Sequence, residues 1–333
     1  MTPSVAVFGA SGYAGALCAR LLHRHPSFML QTVTARSDVG TRLDHLYPHH
    51  RVPMMLEELD LERHAGVDAA IVAYPHGAAA ELVAELRGRD VKVVDLSADF
   101  RLRDAAVYEE WYRPHPIPDL LGDAVYGLPE HYRDEIADAS LVANPGCYPT
   151  AAILGLAPLA RAGLIADVVI DAKSGVSGAG RGATDKTHFV SVDENMNAYS
   201  VPRHRHTPEI EQELAVMGAE RPITFTPHLI PLDQGELVSC YVTPPEGGLS
   251  HDDVRAIYLE AYADETFVEV VSAPPGVRAV RETNICRISV HTDERTGRVI
   301  VFSVIDNLWK GTASQAVQNL NLMFGRPEGE GVH

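Results

Sequence analysis

The chain has 333 residues, beyond the roughly 100–200 that one domain takes, so two domains are the starting expectation. Hydrophobic residues make up 46% and charged residues 22%, the balance of a globular protein, and no run approaches the ~18–20 apolar residues of a membrane span. A formal charge of −17, from 28 Lys and Arg against 45 Asp and Glu, would repel a phosphate backbone and argues against nucleic-acid binding.

The apolar run Val5-Ala6-Val7-Phe8 follows Met1 with no basic segment and cleavage site before it, so no export signal is expected. Cys18, Cys147, Cys240 and Cys286 lie far apart, with no CxxC and no short Cys/His spacing. That pattern argues against a disulfide framework or structural zinc and fits a reducing cytoplasm. His45, His49 and His50 have no accompanying carboxylate set, so no metal site is expected.

In chain order, 5–8 reads as a strand, Ala14, Leu17, Leu21 and Leu22 recur at helical spacing, and 30–34 reads as the next strand. Two further buried strands at 69–73 and 91–96, with a helix at 78–86 between them, imply a Rossmann-like parallel sheet covered on both faces. From 101 to 139 the pattern is irregular, punctuated by Pro114, Pro116, Pro118 and Pro129, and reads as loop and short helices. An apolar helix at 151–162 and a strand at 168–172 follow. Extended runs come after them at 223–227, 237–242, 267–271, 285–291 and 299–304. Many strands and few helices predict an α+β domain with a mainly antiparallel sheet. A helix at 313–323 is expected to pack back on the first domain, with a disordered tail after Gly325. The expected division is 1–147, completed by 310–333, against 148–309.

Gly9-Ala10-Ser11-Gly12-Tyr13-Ala14-Gly15 sits between the first strand and the first helix, where glycines let a pyrophosphate approach backbone N–H groups. Gly9, Ser11, Gly12, Tyr13, Ala14 and Gly15 are therefore expected to contact a dinucleotide, a ligand-free tight turn being the plainer alternative. At the end of the second strand, Arg36 and Ser37 stand where an NAD site usually carries an acid for the ribose 2′-hydroxyl. A cation and a hydroxyl suit a 2′-phosphate, so NADP(H) is the expected cofactor, with neighbouring Asp38 as the contrary signal.

Asn144-Pro145-Gly146-Cys147-Tyr148-Pro149-Thr150 is the sharpest local feature. Pro149 suits the first turn of the helix that follows, which puts Cys147 at or beside its N-cap, where the helix dipole favours a thiolate. A buried structural cysteine is the bland alternative, and it is the preferred reading for Cys18, Cys240 and Cys286. The stretch from Tyr199 through His204-Arg205-His206-Thr207-Pro208-Glu209 supplies a proton-transfer partner. There Thr207 or His206 is expected to cap the next helix, and Glu209 to orient the imidazole of His206. Lys173-Ser174-Gly175-Val176-Ser177-Gly178-Ala179-Gly180-Arg181 reads as an anion nest or, more plainly, a surface loop. Arg101, closing Asp95-Leu96-Ser97-Ala98-Asp99-Phe100-Arg101, is placed to clamp a carboxylate or phosphate.

These motifs, with Ala73-Tyr74-Pro75-His76-Gly77, Tyr126-Gly127-Leu128-Pro129-Glu130, Phe225-Thr226-Pro227-His228-Leu229 and Asp306-Asn307-Leu308-Trp309-Lys310-Gly311, resemble the N-acetyl-gamma-glutamyl-phosphate reductases of arginine biosynthesis. The resemblance covers nearly the whole chain and extends to the broader semialdehyde dehydrogenase group. It implies Cys147 as the acyl-accepting nucleophile, His206 as acid/base, Asn307 on the cofactor side, and a homo-oligomer, commonly a tetramer. Further cofactor contacts are expected at Pro75, Ser97, Ser177 and Gly178, and substrate contacts at Arg101, Asn144, Lys173, Ser174, Tyr199 and Arg205. Two departures stand out. Gln234-Gly235-Glu236 replaces the family's arginine, glycine and hydrophobic residue, and Glu282-Thr283-Asn284 replaces its GSN.

The implied reaction is NADPH-dependent reduction of an acyl phosphate, through a Cys147 thioester, to N-acetylglutamate 5-semialdehyde. The same site logic serves a carrier-linked aminoadipyl phosphate, although docking an acidic carrier on so acidic a chain calls for a local basic rim. Aspartate semialdehyde dehydrogenase is a further relative, with a different motif around the histidine. From another class, a non-catalytic NADP-binding redox sensor would need only the first-domain glycines.

Overall fold

The computed structural model describes residues 2–245 and 249–332. Two units emerge, one made of Met1–Gly146 with Thr312–His333, the other of Cys147–Gly311.

The strands of the first unit are β1 (Ser4–Phe8), β2 (Met29–Thr34), β3 (Ala69–Val72), β4 (Lys92–Asp95), β5 (Val125–Tyr126) and β6 (Leu141–Ala143). Every pairing is parallel, in the order β2-β1-β3-β4-β6-β5. Phe8, Val72 and Val93 belong to a core that Val83, Leu86 and Phe100 complete, which is why these short strands read as unbroken apolar runs. The helices are α1 (Tyr13–His23), α2 (Leu43–Leu46), α3 (Leu61–His64), α4 (Ala80–Arg87), α5 (Ala105–Trp111) and α6 (Pro129–Asp138). Because β2 and β3 flank β1 on opposite sides, the order reverses at β1, and ligands of such sheets bind beyond the strands' carboxyl ends at that point.

The irregular stretch proves more ordered than its prolines suggest. Asp104 caps α5 by accepting from Ala106 N at 2.7 Å, and Pro129 takes the first helical position of α6, where a missing N–H costs nothing.

In the second unit the elements are α7 (Cys147–Arg161), β7 (Asp167–Gly175), α8 (Phe189–Val192), β8 (Asn197–Ala198), α9 (Thr207–Val216), β9 (Thr224–Ile230), β10 (Glu236–Thr243), α10 (His251–Ala261), β11 (Val268–Val270), β12 (Cys286–Asp293) and β13 (Arg298–Ile305). Their sheet runs β11-β12-β13-β10-β7-β9-β8. Its central β12-β13-β10-β7 pairings are antiparallel, while β11/β12 and β7/β9 are parallel. The fold class is thus a Rossmann-like parallel sheet joined in sequence to an α+β unit with a mostly antiparallel sheet.

Helix α7 is buried from Tyr148 to Ala160 and packs on β10, β13, α9 and α10. Its all-round apolar surface follows from that setting. Pro158 lies inside it and has no N–H for the carbonyl of Leu154. The Tyr262 hydroxyl donates to that carbonyl instead, and Tyr258 donates to the carbonyl of Gly155 at 2.6 Å.

Helix α11 (Ser314–Met323) returns to the first unit and packs on α1 and α6. The tail beyond Gly325, expected to be disordered, is held instead. Asn321 Nδ2 donates to the carbonyls of Glu328 and Glu330, Arg133 pairs with Glu328, and Val332 is fully buried. A Pro- and Gly-rich composition concealed these long-range partners. Among the described residues, no helix is long and apolar enough to cross a membrane.

Candidate active site

The first unit presents an open helix N-terminus. Gly12 is the N-cap of α1 and no side chain caps it, so the end of the helix keeps its positive partial charge. A Cβ at Gly12 would meet only Gly9 O, at 3.8 Å, so no packing demands glycine there and the space above the turn is open. Gly9 and Gly15 are different. At Gly9, φ is +93°, and a Cβ would overlap Ala73 O, while at Gly15 it would overlap Gly9 O. Such a cradle fits a pyrophosphate. Beyond β2, Arg36 and Ser37 are exposed, the Arg36 guanidinium lies 5.9 Å from the Tyr74 ring centre, and Ser37 Oγ is 3.2 Å from Ser11 Oγ. The residues present therefore suit NADP(H).

The motif around Arg101 plays an internal part. Asp99, fully buried, accepts from the backbone N–H groups of Gly77, Ala79 and Ala80 and from the Tyr108 hydroxyl, and so closes the N-terminus of α4 from 20 residues away. Arg101 is buried, its Nε donating to the carbonyl of Asn144 at 2.8 Å and Nη2 to that of Leu96 at 2.8 Å. Ser97 is buried as well and donates to Asp95 at 2.6 Å. Asn144 accepts from Asn319 Nδ2 at 3.1 Å and donates to the carbonyl of Thr312 at 3.2 Å. These expected ligand contacts are engaged in holding the end of the sheet, three residues before the nucleophile candidate in the case of Asn144. Pro75 is exposed on the neighbouring turn.

In the second unit, Cys147 is the first residue of α7 and Pro149 the third. Of the four free cysteines, only Cys147 is partly exposed. Burial pushes the thiols of Cys18 and Cys240 up, away from the reactive thiolate. Tyr148, next to Cys147, donates to the carbonyl of His228 at 3.1 Å and accepts from the Tyr199 hydroxyl at 3.3 Å. Burial raises both phenols, so they remain neutral donors. The Tyr148 ring also packs against His204 and His206, each 5.9 Å away centre to centre. Burial lowers His204 to about 4, with Arg205 adding to the effect, which leaves it neutral. His206 is partly exposed at the start of α9. Its backbone has helical rather than extended angles, and neither it nor Thr207 caps the helix through its side chain, contrary to the expectation from sequence. Glu209 is buried in the first turn of α9, and Arg205 is exposed.

The glycine-rich segment after β7 is knitted to the loop after β13. Ser177 donates to the carbonyl of Asp233 at 2.6 Å and accepts from Asn307 Nδ2 at 3.0 Å, and Asn307 Oδ1 accepts from Gly235 N at 2.8 Å. A Cβ at Gly178 would crowd Ser174 Oγ. The Lys173 ammonium is paired with Asp171 at 2.6 Å, which reduces the cationic character read from the sequence.

Glu236, noted in the sequence only as a departure from a family pattern, emerges as a close neighbour of Cys147. It is fully buried, and neither carboxylate oxygen completes a hydrogen bond of ordinary geometry. Burial pushes it up to about 8, Asp306 pushes in the same direction, and the neighbouring Cys147 and Ser174 side chains work against the rise. A signal existed in the strand parity. Glu236, Val238, Cys240 and Val242 alternate onto the buried face of β10, so an acid in that register had to enter the core. Among the described residues, no group of three or more His, Cys, Asp or Glu side chains is placed to hold a metal ion.

Comparison with known proteins agrees with this layout. A family model described as semialdehyde dehydrogenase, NAD binding domain, matches residues 4–139, and one described as semialdehyde dehydrogenase, dimerisation domain, matches 147–307. An N-acetyl-gamma-glutamyl-phosphate reductase of Desulforudis audaxviator is 51% identical, with 98% of this chain and 97% of that protein covered. The one of Syntrophobacter fumaroxidans is 48% identical at the same coverage. Among solved structures, aspartate semialdehyde dehydrogenase II of Vibrio cholerae superposes with a TM-score of 0.73 at 17% identity, covering 98% of this chain and 99% of that one. The NADP complex of the Candida albicans enzyme gives 0.72 at 14% identity, covering 97% and 99%. At such identities the structural likeness speaks for the fold alone, whereas the sequence relatives decide the family. The chain belongs to the N-acetyl-gamma-glutamyl-phosphate reductase family.

Proposed function

We propose that this chain reduces N-acetyl-gamma-glutamyl phosphate to N-acetylglutamate 5-semialdehyde and phosphate, with NADPH as the reductant. The observation that carries the reading is a partly exposed thiol at the first position of a 15-residue buried helix, in a chain whose other cysteines are buried. The near full-length relatives named for this reaction support the substrate.

The turn from Gly9 to Gly15 would hold the pyrophosphate of the cofactor, and Arg36 with Ser37 its 2′-phosphate. When bound, the nicotinamide supplies the hydride that reduces the acyl carbon. Cys147 forms a bond to that carbon as the C–O bond to phosphate breaks, and phosphate leaves with the electron pair. His206 is assigned to protonate the carbonyl oxygen after reduction and to take the proton back as the C–S bond breaks, with Glu209 behind it. Tyr199 and Tyr148 stand beside the sulfur as neutral phenols whose protons are engaged with each other and with the His228 carbonyl. Arg205 and Lys173 are assigned to the substrate anion, Lys173 on release from Asp171.

A homo-oligomer is inferred as well, supported by the dimerisation domain matched and by Phe189, Val190, Met196 and Val201, which expose apolar side chains in the second unit. Four free cysteines suit a cytoplasmic setting.

The test runs the reaction backwards. Purified protein with NADP, phosphate and N-acetylglutamate semialdehyde is expected to form reduced nicotinamide, and to do so far more slowly with aspartate semialdehyde. Turnover on aspartate semialdehyde, or on a carrier-linked aminoadipate semialdehyde in its place, would reassign the substrate.

A further inference from the structure

We propose that Glu236 is a second proton-carrying group of the reaction centre, its carboxyl bonded to the Cys147 sulfur so that the two side chains share one proton and one negative charge. The inference deepens the reading above and rests on Cys147 being the nucleophile.

Strand register puts the carboxyl there. Glu236 opens β10 opposite Ser174 of β7 on one side and Ile305 of β13 on the other. Cys147 lies over the turn that follows β13, since a Cβ at Gly311 would come 2.8 Å from Cys147 Cβ and 3.2 Å from Ile305 Cδ1. The carboxyl thus enters from the sheet while the sulfur enters from the start of α7. Complete burial with neither oxygen satisfied elsewhere leaves the sulfur as a partner worth having, because an unmade buried hydrogen bond is costly. The groups facing Glu236 are Cys147 and Tyr148 from α7, Ser174 from β7, Asp306 after β13, and Tyr199 before α9. None of these is a cation. Asp306 repels charge on the Glu236 carboxylate, while the N-terminus of α7 stabilises charge on the sulfur at its first position, so the neutral acid donating O–H to a thiolate is the arrangement this setting favours.

The proton balance is simple. In the resting pair, the proton of the Cys147 thiol has moved to the Glu236 carboxylate. As the sulfur forms its bond to the acyl carbon and phosphate departs, that proton stays on Glu236. When hydride reduction and loss of the aldehyde return the electron pair to sulfur, the O–H···S bond re-forms.

The test measures the rate of Cys147 alkylation by iodoacetamide against pH in the full-length enzyme without substrate, the other cysteines being buried. The wild-type rate is expected to climb in two steps as the pair loses its two protons, and Glu236→Gln to climb in one. Identical profiles would overturn the proposal. Infrared difference spectroscopy of the wild type guards against a variant that fails to fold: a protonated-carboxyl band that moves on alkylation supports the pair, and no moving band overturns it. A one-step wild-type profile with normal reductase turnover sinks Glu236 alone. A two-step profile with no turnover on any acyl phosphate keeps the pair and sinks the reading of the reaction.

Discussion

Helices α1 and α4 both follow a strand of the same parallel sheet, so both point an N-terminus at the same edge, yet the chain treats them in opposite ways. Asp99 fills the start of α4 with a carboxylate that takes three backbone N–H groups. The start of α1 ends in Gly12, with no side-chain cap and open space above it. The fold thus turns more than one helix N-terminus toward that edge, and the sequence fills one of them with a carboxylate of its own. A third N-terminus, that of α7 in the other unit, carries a thiol where α4 has a carboxylate and α1 has an uncapped glycine.

The sharpest way to break this comparison is at α7. Cys147→Ala is expected to lower phosphate-dependent NADP reduction at least about a thousandfold while nucleotide binding, followed by calorimetry, is retained. Turnover near the wild-type rate would take Cys147 out of the nucleophile role. Next comes the closed end. Asp99→Ala leaves the Gly77, Ala79 and Ala80 N–H groups without their acceptor, and urea unfolding should report a loss of about 3 kcal/mol. A loss under about 1 kcal/mol would mean that water caps α4 as well as Asp99 does.

Strands β1 and β3 were legible because the interior of a parallel sheet demands unbroken apolar runs, and the glycine turn because it falls between a strand and a helix. The cap on α4 was not, since Asp99 and its backbone donors lie some 20 residues apart, and the cation that ends the motif, Arg101, draws attention from the acid although its guanidinium bonds backbone carbonyls. Strand β6, three residues long, and helix α10, which buries only Val254 and Tyr258, gave too weak a period to register. Cys147 was visible through Gly146 and Pro149. Glu236 was visible only as an exception, because its meaning depends on which strands stand beside it.

Two milder substitutions sharpen the contrast from the open side. Gly12→Asp would give α1 the kind of cap that α4 has, and NADP affinity should fall about tenfold by calorimetry while unfolding resistance holds. Unchanged affinity would move the pyrophosphate away from this turn. The smallest effect is expected at Arg36→Ala, a shift of about fivefold in the preference for NADP over NAD, read from the ratio of kcat/KM values. No shift would assign the 2′-phosphate to another group.

Gly311 limits how this protein can drift. Any side chain at that position would need the backbone behind the sulfur to retreat, for even a methyl group would press on Cys147 Cβ at 2.8 Å. Mutational scanning should find position 311 closed to all nineteen alternatives, whereas glycines with nothing near them and no positive φ, such as Gly66 and Gly182, lack that steric barrier. Laboratory evolution of new substrates would then have to work through the residues in front of the thiol and leave its back wall alone.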